Sequence, residues 1–254
     1  MASARNSRPV HPMALEGQHV VVTGAAQGIG ECTARRLAER GCRLYLTDIQ
    51  AEKVAGVATD LGAAHGPVDI TEPERARAMI NDAIVQLGHI DSLVNIAGID
   101  GPDDDALEET EEHWRRIIDA DLSGPWWVTR AVLPHMIERG RGRIVITSSI
   151  TGVMGFSDFA PSYHAAKAGL IGLTNGLSAR FEADGILINA IVPGYIGTGR
   201  PMSQTEIYTY NSQHALGMGG PQPVADAVCY LLDDSGNWIS GTVMNVTGGL
   251  LRGQ

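Results

Sequence analysis

Short apolar runs alternate with longer helical patterns along almost the whole chain, and this alternation limits the possible folds more than any other feature. Strands that alternate with helices form a parallel sheet covered by helices on both faces. The predicted strands are 19–23, 43–47, 63–68, 92–96, 143–147, 187–192 and 243–246. The predicted helices are 30–40, 52–61, 73–87, 111–138, 162–184 and 223–232. No repeat or linker divides the pattern, so residues 15–254 are predicted to form a single α/β domain.

Composition excludes several classes of protein. The net charge of −10 disfavours broad binding to nucleic acid or to anionic membranes. No apolar run approaches the roughly 20 residues that a membrane-spanning helix needs. Residues 1–14 lack an apolar signal-peptide core and are predicted to be a disordered arm.

The cysteines and histidines bear on location and on metals. Cys32, Cys42 and Cys229 are widely scattered, which favours reduced thiols in a cytoplasmic protein. The eight histidines show no paired, metal-ligating spacing. We therefore expect no catalytic metal.

A glycine-rich segment, TGAAQGIG at residues 23–30, follows the first predicted strand and leads into a helix. Such a turn lets the backbone approach a pyrophosphate, which the free N–H groups and dipole of the helix attract. A glycine triplet alone is weak evidence, because tight turns also need glycine for steric reasons. In this strand–turn–helix context, the segment predicts a dinucleotide site. Its expected contacts are Gly24, Gln27, Gly28, Ile29 and Gly30.

The second predicted strand is followed by Asp48 and Ile49. An acidic residue here can accept hydrogen bonds from the adenosine ribose hydroxyls. It also repels a 2′-phosphate, by roughly 4 kcal/mol at about 4 Å and an effective dielectric near 20. No lysine or arginine lies in the glycine-rich turn to compensate. The sequence therefore predicts NAD rather than NADP, with a solvated strand-end aspartate as the alternative.

Tyr163 and Lys167 lie four residues apart in a predicted helix, so their side chains share one face. Such a pair is common on helix surfaces. A free tyrosine, with a pKa of about 10, is a poor base, and a nearby ammonium favours its phenolate. The preceding strand ends in Ser148 and Ser149, at the sheet edge where α/β proteins bind ligands.

Together these motifs resemble the short-chain dehydrogenase/reductase family, in its compact subgroup with TGxxxGxG and YxxxK motifs. The resemblance runs from about Gly17 to Gly249. Its landmarks are residues 23–30, Asp69, NIAG at 95–98, Ser149, Tyr163, Lys167, Asn189 and PGYIGT at 193–198. Each landmark is weak alone, but their joint order and spacing are specific.

The resemblance implies a doubly wound (Rossmann) sheet of strand order 3-2-1-4-5-6-7 and hydride transfer between a nicotinamide cofactor and an alcohol or ketone carbon. Tyr163 would be the general acid/base, and Ser149 would hydrogen-bond the substrate oxygen. Lys167 would bind the nicotinamide ribose and lower the pKa of Tyr163. Further cofactor contacts would be Asp69, Ile70, Asn95, Ala97, Gly98, Pro193, Gly194, Ile196 and Thr198. The resemblance also implies a homo-oligomer, most commonly a tetramer.

Asp121 departs from the family pattern, which has a catalytic asparagine at this place. A carboxylate only accepts hydrogen bonds, whereas an amide also donates them. Beside Lys167, the carboxylate would favour the ammonium and could take up a proton. The alternative is an Asp121 side chain turned toward solvent. Asp121 is therefore retained as a candidate catalytic residue.

Residues 195–217 are predicted to form a variable lid over the substrate. Together with Phe156 and Phe159, the apolar lid residues indicate a moderately apolar pocket; these lid residues are Met202, Ile207, Tyr208 and Tyr210. Besides Ser149 and Tyr163, the expected substrate contacts are Thr151 and Tyr195. The pocket suits an uncharged secondary alcohol, ketone, cyclic diol or polyol.

Two other functions stay open. The first is reduction of 3-oxoacyl chains on a carrier protein, which needs basic surface near the site; Arg139 and Arg141 are candidates for it. The second is a dinucleotide-binding regulator that has lost catalysis, for which Asp121 is the only support.

Overall fold

A computed structural model of the chain describes residues 14–101, 106–197 and 203–252. Within these residues the strands form one parallel sheet in the order 3-2-1-4-5-6-7, which confirms the predicted fold. The strands are β1 (His19–Thr23), β2 (Arg43–Thr47), β3 (Ala64–His65), β4 (Ser92–Asn95), β5 (Gly142–Thr147), β6 (Ile186–Pro193) and β7 (Val243–Val246). The predicted arm lies outside the described residues, apart from Ala14.

The helices cover both faces of the sheet. They are α1 (Gly28–Glu39), α2 (Ala51–Leu61), α3 (Pro73–Leu87), α4 (Glu111–Ile118), α5 (Gly124–Arg139), α6 (Pro161–Phe181), α7 (Gln204–Gln213) and α8 (Gln222–Leu232). In the part of the chain that the structure describes, no helix is long and apolar enough to cross a membrane.

The central strands are buried along their whole length, which explains their near-continuous Val, Ile and Leu sequences. One apolar core packs α3, α5 and α6 against the sheet through side chains such as Ile80, Val132 and Leu170. A second core packs α1, α2 and α8 against the other face through Leu37, Val54 and Val228. The sheet is thus held between two helical layers.

The structure differs from the predicted elements in three places. The predicted helix 111–138 is divided by a π-helical segment, Asp119–Ser123, between α4 and α5. β3 is only two residues long. The helix α7 was not predicted, because its sequence, QTEIYTYNSQ, lacks an apolar stripe at helical spacing.

The amino-terminal edge of the sheet carries a polar cluster around Asp91, which precedes β4. The Asp91 carboxylate accepts hydrogen bonds from Arg139 at 2.9 Å, Arg141 at 3.2 Å and the backbone N–H of His19 at 3.0 Å. His19, His89 and Asp91 place donor atoms close enough to hold a metal ion. The guanidinium groups of the two arginines would repel a metal cation at this place. We therefore interpret the cluster as a set of ion pairs with a structural role.

Candidate active site

The carboxyl ends of the central strands lie at the opposite edge, because all the strands run parallel. In the register of the sheet, Thr23 pairs with Asn95, and Asn95 pairs with Ile146. The segments that follow β1, β4, β5 and β6 therefore leave the sheet at the same edge. This edge unites the glycine-rich turn with the segments that begin at Ile96, Ser148 and Gly194.

The turn after β1 accepts only glycine at two of its positions. Gly24 has a φ of +70°, and a Cβ there would lie 2.7 Å from the backbone nitrogen of Ala97. A Cβ on Gly30 would lie 1.8 Å from the carbonyl oxygen of Gly24. The helix α1 begins at Gly28, and the side chain of Gln27 does not cap it. A close-packed turn that leads into uncapped helix N–H groups fits a pyrophosphate.

Asp48 lies at the end of β2, beside this turn, and is almost buried. Its Oδ2 accepts a hydrogen bond from the N–H of Ala26 at 3.1 Å, and its Oδ1 accepts one from the N–H of Gln50 at 2.9 Å. A carboxylate has about four acceptor positions, so it can still accept bonds from a ribose. The alternative of a freely solvated aspartate is wrong, because this side chain is tied to the turn.

Lys53 is a neighbour of the turn that sequence reasoning missed. Its exposed ammonium donates hydrogen bonds to Oε1 of Gln27 at 3.2 Å and to Oε1 of Gln50 at 2.7 Å. Lys53 lies in the first turn of α2, outside the glycine-rich segment, so the segment's own composition does not reveal it. The available signal was that α2 begins at Ala51, shortly after Asp48, which brings the first residues of α2 close to the glycine-rich turn.

Three of the predicted cofactor contacts, Ile49, Asp69 and Ile70, differ in how far their side chains are exposed. Ile49 is two-thirds exposed and available for contact. Asp69 accepts hydrogen bonds from the backbone and hydroxyl of Thr71, at 3.0 and 2.7 Å. The side chain of Ile70 is buried in the core, against Gly124 of α5. Its expected contact with the cofactor would therefore use the backbone.

The segment after β4 is held by its neighbours. The Asn95 amide donates hydrogen bonds to Thr129 at 2.9 Å and to the carbonyl of Pro125 at 3.3 Å, so this side chain faces α5. The N–H of Ala97 donates to the hydroxyl of Thr23 at 3.2 Å. Gly98 passes close to Asp121, since a Cβ there would lie 3.0 Å from Oδ1.

The segment after β6 continues along the same edge. Pro193 ends the strand, and the N–H of Gly194 donates to the carbonyl of Val246 at 3.0 Å. Ile196 forms an isolated bridge with Gly219. Thr198, the remaining residue predicted to contact the cofactor here, lies outside the described residues.

The two serines after β5 have different tasks. Ser148 donates a hydrogen bond to the backbone carbonyl of Lys167 at 2.7 Å and so ties β5 to α6. The hydroxyl of Ser149 accepts a bond from the N–H of Thr151 at 3.2 Å, at the start of a short 3₁₀ turn. A hydroxyl that accepts one bond can still donate its proton to another oxygen. Of the pair, Ser149 therefore fits the substrate-binding role.

Asp121 and Lys167 form a buried ion pair. Oδ2 of Asp121 lies 3.0 Å from the ammonium of Lys167, and Oδ1 accepts a bond from the N–H of Ile99 at 2.7 Å. The Asp121 side chain is fully buried and that of Lys167 is 8% exposed. The π-helical segment sets the direction of Asp121, and such segments are common at functional sites. The alternative of a solvent-facing Asp121 is wrong.

Tyr163 is buried against Phe159, whose ring stacks on it at 5.5 Å and 18°. The Lys167 ammonium lies 5.2 Å from the centre of the Tyr163 ring. Burial raises the pKa of Tyr163; Lys167 opposes this, while Asp121 and Asp100 raise it further. Lys167 thus acts on this pKa in the expected direction, but burial and the two carboxylates outweigh it, and the net shift is upward.

The pKa of Lys167 is also raised, although burial acts on it in the opposite direction. Burial, the largest influence, would lower its pKa, but Asp121, Tyr163 and Asp100 together outweigh burial and hold the pKa above its usual value. Lys167 is therefore an ammonium, as we expected from the nearby carboxylate.

Aromatic rings form a wall on one side of Tyr163. Phe156, Phe159 and Tyr195 lie with ring centres 6.1–6.4 Å apart. The hydroxyl of Tyr195 donates to Asp158 at 3.2 Å. Thr151 is buried. Its contact with the substrate stays a prediction.

The predicted lid is described only in part. Ile207 and Tyr208 lie on α7, and Tyr208 is largely exposed. Met202 lies outside the described residues, and nothing is described of the Tyr210 side chain. The described aromatic wall still agrees with a moderately apolar pocket.

Comparisons with known proteins extend over most of the chain. A family model described as enoyl-(acyl carrier protein) reductase matches residues 24–251. The cis-4-hydroxycyclohexanecarboxylate dehydrogenase of Sinomonas cyclohexanicum is 37% identical over 238 residues, covering 90% of this chain and 94% of the relative. The 3-oxoacyl-(acyl-carrier-protein) reductase FabG of Escherichia coli strain K12 is 34% identical over 244 residues, covering 94% and 99%. The crystal structure of gox2181 superposes with a TM-score of 0.89 at 29% identity and covers 92% of this chain and 96% of its own.

Proposed function

The chain belongs to the short-chain dehydrogenase/reductase family of oxidoreductases, and from this premise we propose that it interconverts a secondary alcohol and its ketone with NAD. Polyols and cyclic diols are included among the alcohols. One observation carries the proposal: Ser149, Tyr163 and Lys167 meet at the sheet edge that also holds the glycine-rich turn.

The proposed roles follow from the chemistry of these side chains. A bound nicotinamide dinucleotide would supply the hydride acceptor or donor. Tyr163 would exchange a proton with the substrate oxygen. Ser149 would donate a hydrogen bond to the same oxygen, and Lys167 would hold the nicotinamide ribose. The aromatic wall around Tyr163 would exclude water and favour an uncharged substrate.

The preference for NAD is supported by Asp48, whose carboxylate is fixed beside the turn. Lys53 acts in the opposite sense, because its ammonium would attract a 2′-phosphate. Asp48 is buried and held by two backbone N–H groups, whereas Lys53 is exposed and held through the side chains of Gln27 and Gln50. We therefore give Asp48 the larger effect.

Reduction of 3-oxoacyl chains on a carrier protein is the second candidate, favoured by the similarity to FabG. The two arginines considered as its docking surface are bound to Asp91. They flank the start of β5, at the edge of the sheet opposite to Tyr163. This placement favours the free-alcohol substrate. The meeting of Ser149, Tyr163 and Lys167 at one sheet edge also argues against a regulator without catalysis.

The experiment is a measurement of NADH and NADPH turnover by absorbance. Ketones would include cyclohexanone derivatives, a hydroxyketone and a 3-oxoacyl group on both a small thiol and a carrier protein. We expect turnover of an uncharged ketone with NADH. Turnover restricted to the carrier-linked substrate would favour the second candidate. No turnover of any member, by protein that binds NADH, would contradict both.

We also propose that the protein assembles as a homotetramer. The family resemblance is the main support. The structure adds exposed aromatic side chains near the C-terminal edge, with Trp238 96% exposed and Tyr230 44% exposed. Aromatic side chains are enriched in the interfaces between protein chains.

A further inference from the structure

The ion pair between Asp121 and Lys167 places a second charge beside the candidate proton-transfer group. The Lys167 ammonium alone would favour the Tyr163 phenolate, because opposite charges attract strongly in a buried site. A carboxylate 3.0 Å from that ammonium opposes its field at the neighbouring phenol. The pair is shielded from water, so solvent does little to screen either charge.

We propose that Asp121, by neutralising Lys167, keeps Tyr163 in its phenol form up to alkaline pH and so sets the pH range in which the enzyme works. This rests on the proposed role of Tyr163 in proton transfer. Asp121 acts through Lys167, so it is a positioning residue. An asparagine in its place would leave the ammonium unmatched.

The other groups around Tyr163 do not replace this effect. Ser149 reaches it from the end of β5, and its hydrogen bond favours the phenolate; Asp100 acts from the segment after β4 and favours the phenol. Asp100 is exposed, so water screens its charge. The neighbouring His164 has its ring nitrogens at hydrogen-bonding distance from the backbone of Phe156 and Ala160.

The upward shift of the Tyr163 pKa agrees with this arrangement. Burial is its largest cause, and Asp121 contributes more than Asp100. Burial would remain in a variant with Asn at position 121, whereas the contribution of the carboxylate would vanish. The variant should therefore have a lower Tyr163 pKa than the wild type.

Both directions of the reaction depend on this protonation. In oxidation, the Tyr163 phenolate would take the O–H proton of the alcohol, and a bound oxidised nicotinamide would supply the hydride acceptor. In reduction, the Tyr163 phenol would give its proton to the ketone oxygen, and the reduced nicotinamide would supply the hydride. The overall equilibrium does not depend on the catalyst. A substitution that lowers the Tyr163 pKa must therefore shift the midpoints of the pH profiles for oxidation and for reduction in the same direction, to lower pH.

The first test compares Asp121→Asn with the wild type in pH profiles of kcat/KM for oxidation and reduction. We expect both midpoints to fall by about one pH unit or more, the usual size of the effect of one nearby charge. Asp119→Asn is the matched control, because Asp119 lies on the same π-helical segment but is exposed. Its profiles should superimpose on those of the wild type. Unchanged or raised midpoints in Asp121→Asn would overturn the proposal.

The second test needs neither cofactor nor substrate. The ultraviolet absorbance of tyrosinate is titrated in the wild type and in Tyr163→Phe, and their difference isolates Tyr163. The same difference is taken in the Asp121→Asn background, where the Tyr163 transition should occur at lower pH. Asparagine can still accept the bond from Ile99, and Asp121→Ser is a smaller neutral variant if Asp121→Asn does not fold.

The two tests separate this inference from the proposed function. A wild type that turns over no alcohol or ketone would contradict the proposed function, while the absorbance titration would still measure the effect of Asp121 on Tyr163. An active wild type with superimposed curves for Asp121→Asn would overturn only the role of Asp121.

Discussion

The variant Asp48→Asn tests whether one charge at the end of β2 selects the cofactor. Asp48 accepts hydrogen bonds from the N–H groups of Ala26 and Gln50, one on each carboxylate oxygen. Asparagine has nearly the same shape and retains one of these acceptors, so the turn should survive with the loss of one bond. That loss should cost about 1 kcal/mol of stability. The effect of removing the negative charge can then be measured as a change in the affinity for each cofactor.

The expected magnitude follows from the surroundings of Asp48. Two unit charges about 4 Å apart interact by about 4 kcal/mol at an effective dielectric near 20. Salt and the open ribose site reduce this repulsion, and the exposed ammonium of Lys53 offsets part of it. We expect a net change of about 1.4–2.8 kcal/mol. The ratio of the Kd for NADP to the Kd for NAD should therefore fall roughly ten- to hundredfold in Asp48→Asn.

Cofactor titrations of the four protein–cofactor pairs, followed by intrinsic fluorescence, would measure this ratio. Asp60→Asn is the matched control, since Asp60 is an exposed aspartate of α2 that pairs with Arg35. Its ratio should stay at the wild-type value. Equal wild-type affinities for NAD and NADP, or a ratio that Asp48→Asn leaves unchanged, would refute the reasoning.

Three further outcomes are expected. Tyr163→Phe should abolish turnover and leave NAD binding intact, while Ser149→Ala should lower kcat by roughly 10²–10³; substantial turnover by Tyr163→Phe would contradict its proposed role. Burial raises the pKa of Asp91, but the His19 N–H, His89 and two arginines outweigh it and hold this pKa below its usual value. Asp91 therefore stabilises the fold above about pH 4, and this contribution is lost as the pH falls through its folded pKa. Calorimetry should show Asp91→Asn destabilised by about 3 kcal/mol at neutral pH, since it leaves a partly buried Arg139 unmatched; an unchanged Tm would contradict this. Light scattering at micromolar concentration should give a tetramer mass, and a monomer mass would count against the assembly.

The sequence by itself determined the fold class, the strand order through the family resemblance, and the position of most elements. Buried strands need continuous apolar runs and the covering helices need their own period, so both are visible locally. The turn after β1 was equally visible, because only glycine fits beside Ala97 and the start of α1. Tyr163 and Lys167 could be paired from their spacing alone, since helical geometry puts them on one face.

Tertiary structure decided what lies between segments that are distant in the chain. It brought Lys53 to the glycine-rich turn and turned the side chain of Asn95 toward α5. It also broke the predicted long helix at a π-helical segment and aimed Asp121 at Lys167. Periodicity in the sequence indicates which face of a helix or strand is buried, but it does not indicate which side chains from other elements contact that face. The raised pKa of Tyr163 depends on such contacts. Burial and Asp121 raise this pKa by more than Lys167, the neighbour that the helical spacing predicts, lowers it.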